Sequence, residues 1–172
     1  MKGLFRKYVP NCMTKHDFER LTIKYTDCVY RIAIHACHSR EDAEDLTQET
    51  FLKLWRCRHV FATDEDAKRW LIRVAVNAGK NLLRHWGKKE MVPLTELYQE
   101  PSFVQNDFLY LHQALEHLAL KYRQVLYLYY FEEYPVREIA AILHRSETAI
   151  QTQLMRARQK LKKELGEICH EP

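Results

Sequence analysis

The sequence predicts an all-α protein made of two small helical domains joined by an acidic linker, the second domain being a helix-turn-helix. Its 172 residues include only 4 Gly and 5 Pro, and no Val/Ile-rich alternating run of the kind that forms strands. Apolar residues recur instead at three- and four-residue spacing, the period of an amphipathic helix. A hydrophobic fraction of 47% supplies enough apolar surface for cores, and this length fits one large or two small domains.

The first domain is predicted to span residues 14–89, after a loose basic leader at 1–13. Thr14 and Asp17 form a capping box, in which a hydroxyl and an acid three residues later satisfy the first backbone groups of a helix. The helix that they open is predicted to continue to about Cys37. Its buried stripe is predicted to comprise Phe18, Leu21, Tyr25, Val29 and Ile32.

A second capping box, Ser39 with Asp42, precedes a helix predicted over residues 43–56. Acids crowd its first turns while Lys53 and Arg56 lie late, as the helix dipole favours. One stripe at helical spacing carries Asp45, Gln48 and Glu49 and continues with Leu52 and Trp55. Such a stripe suits the basic helix of a partner protein, and the alternative is a solvated face of a bundle helix.

The loop at 58–66 ends in a third capping box, Thr63 with Asp66, and a helix is predicted over 67–86. Its inner side is predicted to carry Leu71, Val74, Ala75, Ala78 and Leu82. Its other side carries Arg73, Asn77, Lys80, Asn81 and Arg84, followed by His85, Lys88 and Lys89. Residues 73–89 include no acid.

This basic stripe is flanked by the aromatic residues Phe61, Trp70 and Trp86. Cations neutralise phosphates, amides read base edges and aromatic rings stack on unpaired bases, so the combination predicts a nucleic-acid surface. The alternative is a solvated basic face with its tryptophans in the core.

The composition changes at residues 90–107, which are predicted to form the linker. Its charged residues are all acidic: Glu90, Glu96, Glu100 and Asp107. Pro93 and Pro101 interrupt any helix. Such a linker either serves as a solubilising tether or occupies a groove that a nucleic acid would otherwise fill.

The second domain is predicted to span residues 108–172. Its first helix is lined by Leu111, Leu115 and Leu118. Residues 122–130 are apolar nearly all round, which predicts a buried second helix. Pro135 is predicted at the first position of a short helix, Val136–Leu143, because a proline there sacrifices no hydrogen bond.

A turn at 144–146, with Ser146 as cap, leads into a longer helix predicted over 147–165. A short helix, a tight turn and a basic second helix predict a helix-turn-helix, with the small Ala140 at the crossing. The basic residues of the second helix are Arg156, Arg158, Lys160, Lys162 and Lys163. The alternative is an ordinary helical hairpin with a solvated basic end.

Other classes of site are disfavoured. His35, Cys37 and His38 do not predict a metal site, because helix residues two apart face different directions and no fourth ligand has a recognised spacing. The acids at 64–66 are first-turn residues of a helix, without a nucleophile and base beside them. We therefore expect no enzymatic activity, no catalytic residue, no cofactor and no bound metal.

The chain is also predicted to be cytoplasmic. Its five cysteines form no Cys-x-x-Cys pair, which indicates reduced thiols. Residues 1–10 lack the apolar core of a signal peptide, and the apolar run at 125–131 is too short to cross a bilayer. The net charge of +4 is a small excess that matters only where it is concentrated.

Several of these motifs together resemble bacterial RNA polymerase sigma factors of the extracytoplasmic-function (ECF, group IV) type. They are residues 43–51 (AEDLTQETF) and 54–56 (LWR), Trp70-Leu71, Ala75 with Asn77, 138–140 (EIA) and 156–158 (RAR). They follow the family's order between Phe18 and Leu165. The resemblance implies a transcription initiation factor that binds core RNA polymerase, recognises −35 and −10 promoter elements and assists DNA melting.

The resemblance also implies partners and site residues. The partners are core RNA polymerase, through its largest-subunit clamp helices and its flap region, promoter DNA and an anti-sigma protein. The core-polymerase-binding residues are Asp45, Gln48, Glu49, Phe51, Leu52 and Trp55. The −10 residues are Phe61, Trp70, Arg73, Asn77, Lys80, Asn81 and Arg84. The −35 residues are Arg145, Ser146, Thr148, Gln151, Thr152, Arg156 and Arg158.

The chain departs from the family pattern at several positions. Val76 stands where arginine is usual, Asn81 where aspartate is usual and His144 where the turn usually has glycine. Residues 148–150 replace Gly-Thr-Val, and Gln151 and Gln153 replace basic residues. Phosphate contacts are therefore expected to depend more on Arg145, Arg156 and Arg158. The alternative function is a stand-alone helix-turn-helix regulator, although the chain has no heptad seam to form a dimer.

Overall fold

The computed structural model describes residues 13–37, 39–86, 111 and 113–168, and all regular structure within them is helical. Its helices are α1 Lys15–Ile34, α2 Arg40–Arg56, α3 Asp64–Trp86, α4 Leu120–Tyr130, α5 Val136–Leu143 and α6 Glu147–Ile168. A short helical stretch at 113–116 precedes α4. The predicted all-α class is confirmed. The linker, most of the leader and the side chain of Trp86 lie outside the described residues.

The first three helices begin where their capping boxes are. The hydroxyl oxygens of Thr14, Ser39 and Thr63 accept hydrogen bonds of 3.0 to 3.1 Å from the backbone N–H groups of Asp17, Asp42 and Asp66. Because the cap immediately precedes the first helical residue, α2 begins at Arg40 and α3 at Asp64. The starts predicted at residues 43 and 67 were therefore three residues late.

Packing of α1, α2 and α3 builds the first domain around Val29, Leu46, Leu54, Leu71 and Ala75. α1 ends at Ile34 rather than near Cys37, and a turn follows in which the N–H groups of Ala36 and Cys37 donate to the carbonyl of Ala33.

The predicted inner side of α3 was partly wrong. Ile72, Val76 and Gly79 are buried, whereas Val74, Ala78 and Leu82 are only half-buried. The reason is that α3 packs on α1 and α2 along one side and on the second domain along another, so its buried arc follows both neighbours. Val76, the departure from the usual arginine, faces a small interdomain cavity lined also by Gln124 and Leu128 of α4.

Gly79 of α3 lies directly against the turn after α1. A Cβ atom there would lie 2.5 Å from the Cβ of Ala36, which is too short for any real contact. Gly79→Ala is therefore expected to lower the free energy of unfolding by about 1–3 kcal/mol through overpacking, measured by urea denaturation.

The matched control is Gly166→Ala in α6, where an added Cβ meets nothing within 4 Å. It is expected to raise the free energy of unfolding by about 0.5–1 kcal/mol, because alanine is the better helix former. A Gly79→Ala variant as stable as the parent would contradict the close packing of α3 against Ala36.

The second domain is built on α4, where the prediction of a buried helix over 122–130 holds for residues 122–128. Tyr129 is half-buried and Tyr130 is 55% exposed. α5 and α6 pack against α4 and against each other as a helix-turn-helix. Pro135 is the N-cap of α5 rather than its first residue, since the helix begins at Val136. α6 runs to Ile168, three residues beyond the predicted end.

The turn of the helix-turn-helix explains one departure from the family pattern. His144 has φ 50° and ψ 54°, the left-handed conformation that glycine adopts without strain. The turn therefore keeps its shape although a side chain replaces the usual glycine.

The two domains share one continuous set of buried apolar residues, with α3 lying against α5. None of the helices in the described part of the chain is both long and apolar enough to cross a membrane.

Candidate functional site

The exposed face of α2 carries five of the six residues predicted to bind polymerase. Asp45, Gln48 and Glu49 are exposed, as are Leu52 (49%) and Trp55 (38%). Glu49 is paired with Lys53 at 2.8 Å. The Trp55 ring meets the Phe18 ring edge to face, with centroids 5.1 Å apart. This surface, the α2 face, combines carboxylates with exposed apolar side chains.

Phe51 does not belong to the α2 face. Its side chain is 6% exposed and lies in the core of the first domain. On an α-helix, residue 51 is turned away from the arc formed by residues 45, 48, 49 and 52, toward the buried Leu54 and Thr47 side. Phe51 therefore supports α2 from beneath, contrary to the prediction that its side chain binds polymerase directly.

An aromatic group and a cavity lie where the loop at 57–63 meets α1. The Phe61 ring lies edge to face with Trp70 at 5.8 Å and with His59 at 5.1 Å. Beside it is a cavity of about 230 Å³, walled by residues 59–64 and by Asp17 and Arg20 of α1. Phe61 and Trp70, two of the predicted −10 residues, are therefore in contact, and Phe61 lines the cavity.

Asp64 holds this loop on α1. Its carboxylate accepts hydrogen bonds from Arg20 at 2.5 Å and Lys24 at 2.8 Å, and its carbonyl accepts one from the Tyr25 hydroxyl at 3.1 Å. The Arg20 and Lys24 hydrogen bonds lower the pKa of Asp64 to about 2, so its carboxylate stays charged at neutral pH. Within the described residues, no three His, Cys, Asp or Glu side chains could together hold a metal ion.

Only part of the predicted basic stripe of α3 is exposed, because the second domain packs against the rest. Asn77, Asn81 and Arg84 are exposed. Arg73 instead donates hydrogen bonds to the carbonyls of Ala141 and Ile142, at 3.2 and 3.1 Å. Lys80 is half-buried, and desolvation, followed by the charges of Arg145 and Arg84, lowers its pKa.

Other residues of α3 also bind the second domain. Lys68 pairs with Glu132 at 2.7 Å, and Arg69 donates to Glu138 at 2.7 and 3.1 Å. Sequence reasoning missed these contacts, since their partners lie 64 to 69 residues apart and neither side forms a motif.

Four of the predicted −35 residues lie at the start of α6: Ser146, Thr148, Gln151 and Thr152. The Ser146 hydroxyl caps the helix by accepting from the Ala149 N–H at 3.2 Å. Thr148, Gln151 and Arg156 are exposed, and Thr152 is half-buried, with its hydroxyl bonded to the Thr148 carbonyl.

Gln153 has a structural role that the sequence did not indicate. Its side chain is 8% exposed, its amide donates to the Lys121 carbonyl, and its oxygen accepts from Arg145 at 2.7 Å. Glutamine at this usually basic position therefore joins α4 to the turn and orients Arg145.

Arg158 lies on an aromatic support. Its guanidinium lies over the Tyr129 and Tyr130 rings at 5.2 and 5.6 Å, and its Nε donates to the Tyr130 hydroxyl at 2.9 Å. A stacked, hydrogen-bonded arginine keeps its charge in one place.

Cys37 is buried, and Cys28 is half-buried on α1 beside Glu132 of the second domain. Burial raises the pKa of both Cys28 and Cys37 to about 12, which leaves about one thiol in ten thousand ionised at pH 8. We expect alkylation at pH 8 to modify the half-buried Cys57 more than 100-fold faster than either of them, as followed by peptide mass spectrometry. Rapid labelling of Cys37 in folded protein would contradict its burial.

Comparison with known proteins is consistent across both domains. Residues 22–88 match the family Sigma-70 region 2, and residues 108–161 match Sigma-70, region 4. The ECF RNA polymerase sigma factor SigM of Bacillus subtilis is 33% identical over 147 residues, covering 80% of this chain and 88% of its own length. The RNA polymerase sigma-H factor of Pseudomonas aeruginosa is 25% identical over 176 residues, covering 91% and 90%.

Solved structures have the same fold. The sigma factor RpoE, in complex with the anti-sigma factor NepR from Bartonella quintana, matches with a TM-score of 0.69 at 23% identity, over 87% of this chain and 97% of that one. CnrH, in complex with the cytosolic domain of CnrY, matches with a TM-score of 0.68 at 23% identity, over 90% of each chain.

Proposed function

The chain belongs to the extracytoplasmic-function RNA polymerase sigma factors, and from this premise we propose which of its residues perform each step of initiation. As a member of this family it is a transcription initiation factor that directs RNA polymerase to promoters. A stand-alone helix-turn-helix regulator is not favoured, since it would leave the region 2 match of the first domain without a role.

The α2 face binds the clamp helices of the polymerase largest subunit. Leu52 and Trp55 supply an apolar anchor, with Phe18 behind Trp55, and Asp45 and Glu49 supply charges for a basic partner helix. Interfaces of this kind depend on a few buried apolar anchors, while surrounding charges orient the partner. The observation that carries the proposal is that these acids and anchors are exposed together on one rigid helix.

The first domain also captures the −10 element. The cavity beside Phe61 accepts a base of the non-template strand, with Phe61 and Trp70 supporting the stack. Flipping a base out of the duplex costs a few kcal/mol, which stacking and hydrogen bonds in the cavity offset. Asn77 and Asn81 read base edges, while Arg73, Lys80 and Arg84 contact phosphates.

The second domain reads the −35 element through the start of α6. Ser146, Thr148, Gln151 and Thr152 approach base edges from the major groove, and Arg145, Arg156 and Arg158 contact phosphates. Glutamine is well suited to adenine, since its amide can hydrogen-bond to both N6 and N7 of that base in the major groove. The same domain contacts the flap region of the polymerase.

Regulation by an anti-sigma protein is part of the proposal. It is supported by the likeness to RpoE, which was solved in complex with the anti-sigma factor NepR. Both polymerase and promoter are cytoplasmic, and the protein is proposed to act there.

The proposed function is tested by mixing the purified chain with bacterial core RNA polymerase. Co-elution on size exclusion and initiation from a subset of a random promoter library are the expected results, and the enriched sequences would reveal the base preferences. Failure of a folded sample to co-elute would contradict the proposal, and binding to a palindromic operator without polymerase would favour the regulator.

A further inference from the structure

The Gln153 side chain lies between α4 and the turn of the helix-turn-helix, and it is only 8% exposed. Its amide nitrogen donates to the Lys121 carbonyl in the first turn of α4, and its amide oxygen accepts from Nη1 of Arg145 at 2.7 Å. A backbone carbonyl can only accept and a guanidinium can only donate, so the group between them must do both. An amide meets this requirement, whereas a lysine, an arginine or an ionised carboxylate does not.

The backbone of Arg145 is fixed on both sides. The preceding residue, His144, ends α5 in the left-handed conformation, and the Arg145 N–H donates to the Ala140 carbonyl at 2.9 Å. The following residue, Ser146, caps α6. The Cα atom of Arg145 is therefore held beside the N-terminus of α6. The long side chain still has several rotatable bonds, so the backbone alone does not determine where the guanidinium lies.

Nearby charges would favour another position for a mobile Arg145 side chain. Desolvation, and after it the charges of Arg145 and Arg84, lower the pKa of Lys80 on α3, so Arg145 lies among other cations. Like charges repel, which favours a guanidinium that moves away into water. The hydrogen bond to Gln153 opposes this movement, and a hydrogen bond with a charged donor is roughly twice as strong as one between neutral groups.

We propose that Gln153 is a positioning residue for −35 recognition, which holds the Arg145 guanidinium beside the start of α6 in the geometry that binds a DNA phosphate. This inference rests on the proposed function, in which Arg145 contacts the DNA backbone. A phosphate is favoured at the N-terminus of a helix, and the guanidinium has further N–H groups to offer it while Nη1 is bound to Gln153. Holding the side chain in advance removes the entropic cost of ordering it when DNA binds.

The test measures promoter binding by the full chain in complex with core polymerase, by fluorescence titration of a promoter selected from the library. Gln153→Met removes both hydrogen bonds and keeps a side chain of similar length. It is expected to weaken binding about three- to tenfold, the cost of ordering one long side chain. Arg145→Ala is also expected to weaken binding, and to reduce the slope of log K against log salt concentration by about 0.9, as for one phosphate contact.

The double variant separates positioning from packing. In the Arg145→Ala background, Gln153→Met is expected to cause no further loss, because the side chain that it positions is gone. A packing defect in α6 would not act through Arg145, so it would weaken promoter binding by the same factor in both backgrounds. Equal losses in the two backgrounds would therefore overturn the positioning role.

The matched control is Gln159→Met, the same substitution at an exposed glutamine of α6, and it is expected to bind the promoter as the parent does. The free parent chain provides a second test, which holds even where Gln153→Met does not fold. In nitrogen-15 relaxation of the arginine side chains, Arg145 is expected to be more ordered than the exposed Arg156. Equal mobility of these two side chains would overturn the proposal.

The measurements also distinguish this inference from the proposed function. If the parent chain does not co-elute with core polymerase, the proposed function fails, while the order of the Arg145 side chain in the free chain still decides whether Gln153 holds it. If the parent complex binds the promoter and Gln153→Met binds it equally well, the positioning role fails and the proposed function stands.

Discussion

Reversing the charges of Asp45 and Glu49 to lysine is expected to abolish binding to core RNA polymerase while leaving the fold intact. Both side chains are exposed on the α2 face. We expect the affinity to fall at least 100-fold, about 3 kcal/mol, because two attractions to a basic partner helix become repulsions. Co-elution and titration of fluorescent polymerase measure the loss.

The fold should tolerate this change. Within the chain, it breaks the exposed ion pair of Glu49 with Lys53, and such a pair stabilises a helix surface by about 0.3–0.5 kcal/mol. Circular dichroism and the melting temperature are therefore expected to remain close to those of the parent. A folded double variant that still binds polymerase would show that the α2 face is not the docking surface.

The matched control makes the same change in net charge elsewhere. Glu19→Lys with Asp27→Lys alters two exposed acids of α1, outside the proposed surfaces. This variant is expected to bind polymerase as the parent does. Equal loss in both variants would indicate a general effect of net charge rather than docking through α2.

Local chemistry made much of the fold predictable. Capping boxes predict the starts of α1, α2 and α3 to within three residues of the observed starts. A hydroxyl and an acid satisfy nearby backbone groups regardless of how the rest of the chain packs. α5 begins and ends as predicted because Pro135 precedes it and a left-handed residue, His144, follows it. These signals act within one turn of helix and do not depend on the tertiary fold.

The contacts that the sequence did not predict depend on neighbours far along the chain. Phe51 shares a motif with the docking residues, yet only packing of the first domain decides that it is buried. Arg73 belongs to the basic stripe by spacing, but its bonds go to Ala141 and Ile142 of the other domain. Gln153 shows the same limit, because its buried position depends on α4 and on Arg145.

Replacing Phe61 by alanine is expected to lower initiation from duplex promoters by about 10- to 100-fold, with polymerase binding unchanged. Stacking of an unpaired base on an aromatic ring contributes about 1–3 kcal/mol, and Phe61 borders the cavity at the end of the 57–63 loop. Initiation is measured on a promoter selected from the library. DNA melting is measured by the permanganate reactivity of unpaired thymines.

Phe61→Leu separates stacking from packing. Leucine keeps apolar bulk against Trp70 but offers no flat face to a base, so it is expected to behave like alanine in melting and like the parent in stability. The matched control is Phe131→Ala, which removes an equally large ring that is 59% exposed in the second domain. It is expected to leave melting unchanged.

A promoter with a mismatched −10 region provides the decisive comparison. Its bases are already unpaired, so the cost of a few kcal/mol for flipping is largely removed before the protein binds. If Phe61 acts by holding a flipped base, the mismatched promoter should recover most of the initiation lost by Phe61→Ala. Normal thymine reactivity in Phe61→Ala on duplex DNA would contradict capture of a base at this cavity. Equal loss on both templates would place the role of Phe61 after melting.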